Sequence, residues 1–128
     1  MAPNKPIYVV QKHDAIKAGL HYDLRLQVMD TLFSWAIPKG IPEEYRVRRL
    51  AIRTQNHAMS WSTFEGSIPK GEYGAGTVSI WDKGWYEPLD LYKGYMKFII
   101  HGKKLKGIWQ LSLMKGNPDR WLIERVED

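Results

Sequence analysis

The sequence predicts an all-β protein: a small closed or partly open β-barrel of about eight strands with one or two short helical turns. Three observations carry this expectation. Short apolar segments recur along the chain, separated by Gly, Pro, Asn and Asp, the spacing of strands joined by tight turns. Aromatic residues reach 12%, with six Trp and seven Tyr, and such side chains favour pleated sheets. No segment carries a long helical period. The 128 residues suit one domain with one core. Residues 1–128 are therefore read as a single domain, with residues 1–6 as a flexible N-terminal tail.

The elements follow in order. Residues 7–12 read as a strand, and residues 20–28 as a second, with a tight turn marked by Asp30. Residues 32–37 follow and end at Pro38. Residues 50–53 come next, then residues 77–81, closed by a turn at Asp82-Lys83-Gly84. Residues 96–101, 108–113 and 121–125 complete the set, separated by Gly102 and by Gly116-Asn117-Pro118-Asp119. Residues 42–48 open on Pro42 and carry several charges, which suits a turn or two of solvated helix. Residues 14–18 suit a short turn.

Composition narrows the function. The chain has no Cys, which excludes disulfides, thiolate zinc sites and cysteine nucleophiles. Net charge is +5, which fits a phosphate-bearing partner and equally fits an ordinary mildly basic protein. No apolar run is long enough to cross a membrane, and residues 1–6 lack the apolar stretch of a signal peptide. A soluble cytoplasmic protein is expected. The Gly-rich residues 64–77 lack the Gly-Lys-Ser/Thr ending of a phosphate-binding loop. They read as tight turns, with Glu65 as an additional polar group.

Residues 20–28 read LHYDLRLQV. Side chains alternate between the faces of a strand. Leu20, Tyr22, Leu24, Leu26 and Val28 share one face, expected to pack on the core. His21, Asp23, Arg25 and Gln27 share the other. His21 and Asp23 can thus reach one cation, and the Arg25 fork can take two oxygens of a phosphate. Gln11 and His13 also share a face, so pairing of the first two strands would bring His13 in as a third ligand. Alone, His-x-Asp is as well explained by a hydrogen-bonded surface pair, and both readings stay open. Lys39, Arg49 and His57 sit at strand ends, where each type can bind phosphate oxygens or remain a solvated basic residue. His57 can also serve a leaving group. His101 adjoins Gly102 and reads as structural or surface.

Several blocks, in order, resemble a known family. They are Val10-Gln11-Lys12-His13, then residues 20–26 and 34–40, Arg49-Leu50-Ala51-Ile52 with His57, Phe64-Glu65-Gly66, Ile68-Pro69, residues 71–76 and Trp81-Asp82. Together they look like the 3′-phosphoesterase domain of bacterial and archaeal ligase D-type DNA repair ligases, over nearly the whole chain. The resemblance implies a β-barrel enzyme that uses a divalent metal, typically Mn2+. It removes a 3′-phosphate from DNA or RNA 3′ ends (primer-template) and in many members trims a 3′-terminal ribonucleoside, leaving a 3′-hydroxyl. By position, the implied metal ligands are His13, His21 and Asp23, and the implied catalytic groups are Arg25, Lys39, Arg49 and His57. This chain lacks the Lys-x-Asp-Gly motif of nucleotidyl transfer, which argues against a ligase core; a free-standing processing domain is expected, with a separately encoded DNA ligase or polymerase as its candidate partner.

Departures from the family bear on the trimming step. The stretch between His13 and His21 is longer than usual, Gln55-Asn56 stand where an acidic pair is common, and Trp61 stands where Tyr is usual. Only six residues precede Ile7, whereas many relatives carry a longer N-terminal arm. Two other readings compete. A non-catalytic single-stranded nucleic-acid-binding β-barrel explains the charge and aromatics; a His-x-Asp non-haem iron enzyme explains the ligand pattern.

Overall fold

The computed structural model describes residues 5–127. The strands are β1 (Ile7–Ala15), β2 (Gly19–Val28), β3 (Thr31–Ile37), β4 (Arg48–Ala58), β5 (Gly66–Ile68), β6 (Gly76–Tyr92), β7 (Tyr95–Gly102), β8 (Lys106–Leu113) and β9 (Arg120–Val126). A 3₁₀ helix, Met59–Thr63, follows β4. Eight strands pair antiparallel in the order β1-β2-β3-β4-β9-β8-β7-β6, and β6 pairs back to β1. This ring fits the expected closed or partly open barrel. β5 adds beside the start of β6. Of the expected tail, residues 1–4 lie outside the described residues. Pro6 accepts a hydrogen bond from the Tyr86 amide at 3.1 Å.

One face of the ring packs inward. Tyr8, Val10, Leu24, Leu26, Trp35 and Ile37 from β1–β3 meet Phe98, Ile100, Trp109, Leu111 and Ile123 in one buried cluster. Burying each such side chain contributes about 1.5–3 kcal/mol. The expected apolar face of β2 holds at its centre, but Leu20 is exposed, because it lies at the hairpin end. The opposite face of β1–β3 is also covered. Val9, Gln11, Leu32 and Ser34 are buried there outside the main cluster. Gln11 pairs with Asp23, His13 with His21 and Val9 with Arg25. Residues directly opposite share a face, so the register alone aligns two rows of polar side chains.

Several expected boundaries move. No turn closes the fifth strand at Asp82-Lys83-Gly84: β6 runs on to Tyr92. The buried Asp82 carboxylate instead accepts amide protons from Lys103, Lys104 and Leu105, and the Tyr8 hydroxyl. Gly84 lets the strand pass against the His101 carbonyl, where a Cβ would collide. Residues 42–48 form no helix. Their carbonyls are taken by side chains of β8 and β9: Trp109 Nε1 donates to Pro42 and Arg125 Nη1 to Glu43. Those acceptors cannot then serve a helical ladder. The turn expected at residues 14–18 is confined to residues 16–18, since β1 extends through Ala15. The 3₁₀ helix, the one such element among the described residues, lies after His57, where no helical turn was expected.

Candidate metal and phosphate site

The polar rows of β1 and β2 converge at one end of the hairpin. His13 Nδ1 lies 3.2 Å from Asp23 Oδ2, and His21 Nε2 lies 3.3 Å from Asp23 Oδ1. One donor atom from each residue lies within 4.8 Å of the others. The first two expected strands do pair, and their register sets His13 opposite His21.

The far nitrogen of each ring is already committed. His13 Nε2 lies 2.7 Å from the Gly74 carbonyl, and His21 Nδ1 lies 3.2 Å from the Gly19 carbonyl. A carbonyl only accepts, so those nitrogens carry protons. In the neutral rings, His13 Nδ1 and His21 Nε2 are left as bare lone pairs. Three acceptors then face one another, an arrangement that needs a proton or a cation between them. Two imidazoles and a carboxylate suit a first-row divalent metal. The residues present therefore fit such an ion.

The electrostatics agree. Burial disfavours the Asp23 carboxylate, but when the rings carry a proton on the facing nitrogens, hydrogen bonds from His13 and His21, with the Arg25 charge, outweigh it and hold its pKa well below the usual range. The hydrogen bond to Asp23 raises the His13 pKa, against the opposing effect of burial.

Arg25 lies beside this trio and is 5% exposed. Its Nε donates to Gln11 Oε1 at 2.6 Å and its Nη1 to Ser34 Oγ at 2.9 Å. Nη1 also lies 3.0 Å from His57 Nδ1. Nη2 has only a looser approach to Asp23, at 3.7 Å. Burial lowers the Arg25 pKa, partly offset by Asp23, and a guanidinium stays charged regardless. The His57 pKa is lowered by burial and then by the Arg25 charge. Because Arg25 can only donate, His57 Nδ1 accepts, and the neutral ring carries its proton on Nε2.

Two residues complete the enclosure. Gln11 Nε2 donates to the Trp61 and Phe64 carbonyls at 2.7 and 3.1 Å, tying the 3₁₀ helix to β1. The Trp61 ring stands edge-on to His57, with centroids 5.5 Å apart. Ser34 and the Gly74 carbonyl were not among the expected site groups. Ser34 lies opposite Arg25 on β3 but resembles any strand serine, and a backbone carbonyl has no side-chain signature.

Lys39 and Arg49 lie apart from this cluster. Arg49 Nη1 donates to the Lys39 and Gly40 carbonyls at 2.7 and 3.2 Å. Arg49 pairs with Ile123, a core residue, whereas His57 pairs with Leu32 on the other face. Lys39 is exposed, in a turn whose Gly40 lies against the Tyr22 ring, between His21 and Asp23. Glu65 accepts the Ile80 amide proton at 2.8 Å, fastening β6 and not the site. His101 bonds Glu87 and stacks on Trp85, in keeping with a structural role.

Comparison with known proteins bears on this geometry. Residues 11–113 match the family model described as the DNA ligase D 3′-phosphoesterase domain. The multifunctional non-homologous end joining protein LigD of Pseudomonas aeruginosa is 44% identical over 128 residues, covering 94% of this chain and 15% of that protein. The corresponding LigD proteins of Mycobacterium tuberculosis (strain H37Rv) and Mycolicibacterium smegmatis are 42% and 41% identical, covering 94% and 98% of this chain. The chain spans only 16% and 17% of those two proteins. A family match over most of its length, joined to a fold and a polar face of the expected kind, establishes that this chain belongs to the DNA ligase D 3′-phosphoesterase domain family.

Proposed function

We propose that this chain is a divalent-metal-dependent phosphoesterase that removes a 3′-phosphate from DNA or RNA ends, leaving a 3′-hydroxyl. The observation that carries the reading is the meeting of three converging acceptors with a buried, pre-positioned guanidinium. His13 Nδ1, His21 Nε2 and Asp23 would hold the cation, for which manganese is proposed. A cation there would supply Lewis-acid charge to the phosphate oxygens. Arg25 Nη2, the least engaged part of its fork, is assigned to a non-bridging oxygen.

His57 is neutral in this arrangement and donates through Nε2. That suits it to hydrogen-bond charge developing on the phosphate or leaving oxygen. It does not suit it to full proton transfer, which would leave an imidazolate. We assign Lys39 to an outer phosphate of the strand and Arg49 to holding the turn that presents it. Removal of a 3′-terminal ribonucleoside is proposed as a slower second reaction, since Trp61 offers no hydroxyl beside His57. The names of the relatives support a role in non-homologous end joining; we propose that the chain acts there alongside a DNA ligase or polymerase, in the cytoplasm. Among the described residues, no helix is long and apolar enough to cross a membrane.

The test is phosphate release from a 3′-phosphate strand in manganese, scanned across divalent metals. Activity is expected in the wild type and lost in His21→Ala and Asp23→Ala, with metal affinity lost in parallel. Strand binding that ignores chelator, with no phosphate released, would identify a binding module instead. Wild-type rates in both variants would remove the metal assignment.

A further inference from the structure

A cleft of about 390 Å³ runs beside the polar face, lined by Ile52, Arg53, Thr54, Gln55 and Tyr73. That size lies at the lower end of the roughly 300–1,000 Å³ seen for small-ligand sites. The register fixes where it sits. Ile52 lies across from Ala36, which lies across from Asp23. Thr54 lies across from Ser34, which lies across from Arg25. The β4 wall of the cleft therefore continues the two rows that carry the metal donors and the guanidinium. The small Ala36 side chain leaves the row between Asp23 and Ile52 low.

The other wall is Tyr73. It is 87% exposed, the barest aromatic ring among the described residues. Its backbone is nonetheless pinned. The Glu72 amide donates to Pro69, the Ala75 amide to Glu72 and the Ile16 amide to Ala75, at 2.8–3.1 Å. The next carbonyl, Gly74, is the acceptor that fixes His13. An unpartnered ring on a fastened backbone, one residue from a group that orients a candidate ligand, is a ready stacking platform. Aromatic rings hold bases in this way without reading sequence.

We infer that Tyr73 stacks on the base of the 3′-terminal nucleoside, which occupies the cleft between the ring and β4 while its 3′-phosphate lies over Asp23 and Arg25. This rests on the 3′-end reading above, and it names how the terminal nucleoside is seated. Because stacking is indifferent to base identity, it fits an activity that must accept any broken end.

The experiment compares wild type, Tyr73→Phe and Tyr73→Ala on two labelled 3′-phosphate strands, one complete and one lacking its terminal base. Binding is read by fluorescence anisotropy without metal, and turnover in manganese. Tyr73→Ala is expected to weaken binding of the complete strand ~10-fold and to raise KM similarly with kcat little changed. Tyr73→Phe should match wild type. Removing the base should cost wild type the same factor and cost Tyr73→Ala nothing further. Equal losses on the abasic strand in wild type and Tyr73→Ala, or unchanged binding in Tyr73→Ala, overturn the inference. Tyr73-dependent binding with no phosphate release by wild type would overturn the phosphoesterase reading and leave the stacking role standing.

Discussion

Arg25→Lys separates the charge at this position from its geometry. A lysine keeps the cation but has no Nε–H and no fork. In the wild type, Nε serves Gln11 Oε1 at 2.6 Å and Nη1 serves both Ser34 Oγ and His57 Nδ1. A single ammonium cannot meet all three and still approach a phosphate. Gln11 is fully buried, so its Oε1 would lose its partner with no water to replace it. That costs about 1–3 kcal/mol, or roughly 4 °C in Tm per kcal/mol for a domain of this size. Loss of a pre-positioned donor to the phosphate would lower kcat by about 10²–10³. Calorimetry should give manganese affinity close to wild type, since Arg25 is not a ligand. Phosphate release by Arg25→Lys within tenfold of wild type, at unchanged Tm, would show that charge alone suffices and that the hydrogen-bonded cradle is irrelevant.

Other outcomes follow from the same geometry. His57→Ala should lower kcat by about 10²–10³ while manganese still binds in a calorimetric titration; loss of manganese binding would mean that His57 supports the metal and not the phosphate. The pH profile of metal-free Tm is set by three shifts. Asp23, with its pKa depressed by its histidine and arginine partners, contributes stability above pH ~4 that is lost as pH falls towards its folded value. His57, depressed by burial, takes up a proton more readily when unfolded, so stability rises with pH up to about 6.5. His13, raised by Asp23, contributes stability below about pH 6.5 that is lost as pH rises through its folded value. A maximum near pH 6.5 is therefore expected by thermal melts, with the alkaline fall removed in His13→Ala and the acid rise blunted in His57→Ala. A wild-type profile that is flat from pH 4 to 8 would contradict these couplings.

The strand periodicity made half of the site legible. In LHYDLRLQV, a two-residue period alone put His21, Asp23 and Arg25 on one side, and the structure keeps them there. His13 joined once β1 and β2 paired in register. Gln11 carried the same signal, two residues before His13 on the same face, but a strand glutamine usually faces solvent. What closes the site from above was not legible. The 3₁₀ helix with Trp61 and the Gly74 carbonyl reach the polar face through long-range contacts, with Gln11 and His13 respectively, and no local pattern announces them. Asp82-Lys83-Gly84 misled for the complementary reason. Its residues favour turns locally, but a network to Lys103, Lys104, Leu105 and Tyr8 spends the Asp82 carboxylate elsewhere. Lys39 and Arg49 illustrate the limit of residue type: basic side chains near a strand end do not reveal which side of the sheet they take.

The hairpin of β1 and β2 has one more consequence, for the order in which the site assembles. His13, His21 and Asp23 all belong to it, and a three-residue turn joins its strands. Loop closure over so short a span is entropically light. Closing the whole ring, by contrast, requires β1 to meet β6 across some sixty intervening residues, a non-local pairing of the kind that slows folding. A partly opened molecule that keeps this hairpin keeps its three candidate metal donors together, while the guanidinium cradle, which draws on β3, β4 and the loop beyond, comes apart. On the proposed reading, cation capture and phosphate grip are therefore separable: the first needs the hairpin alone, the second the closed ring.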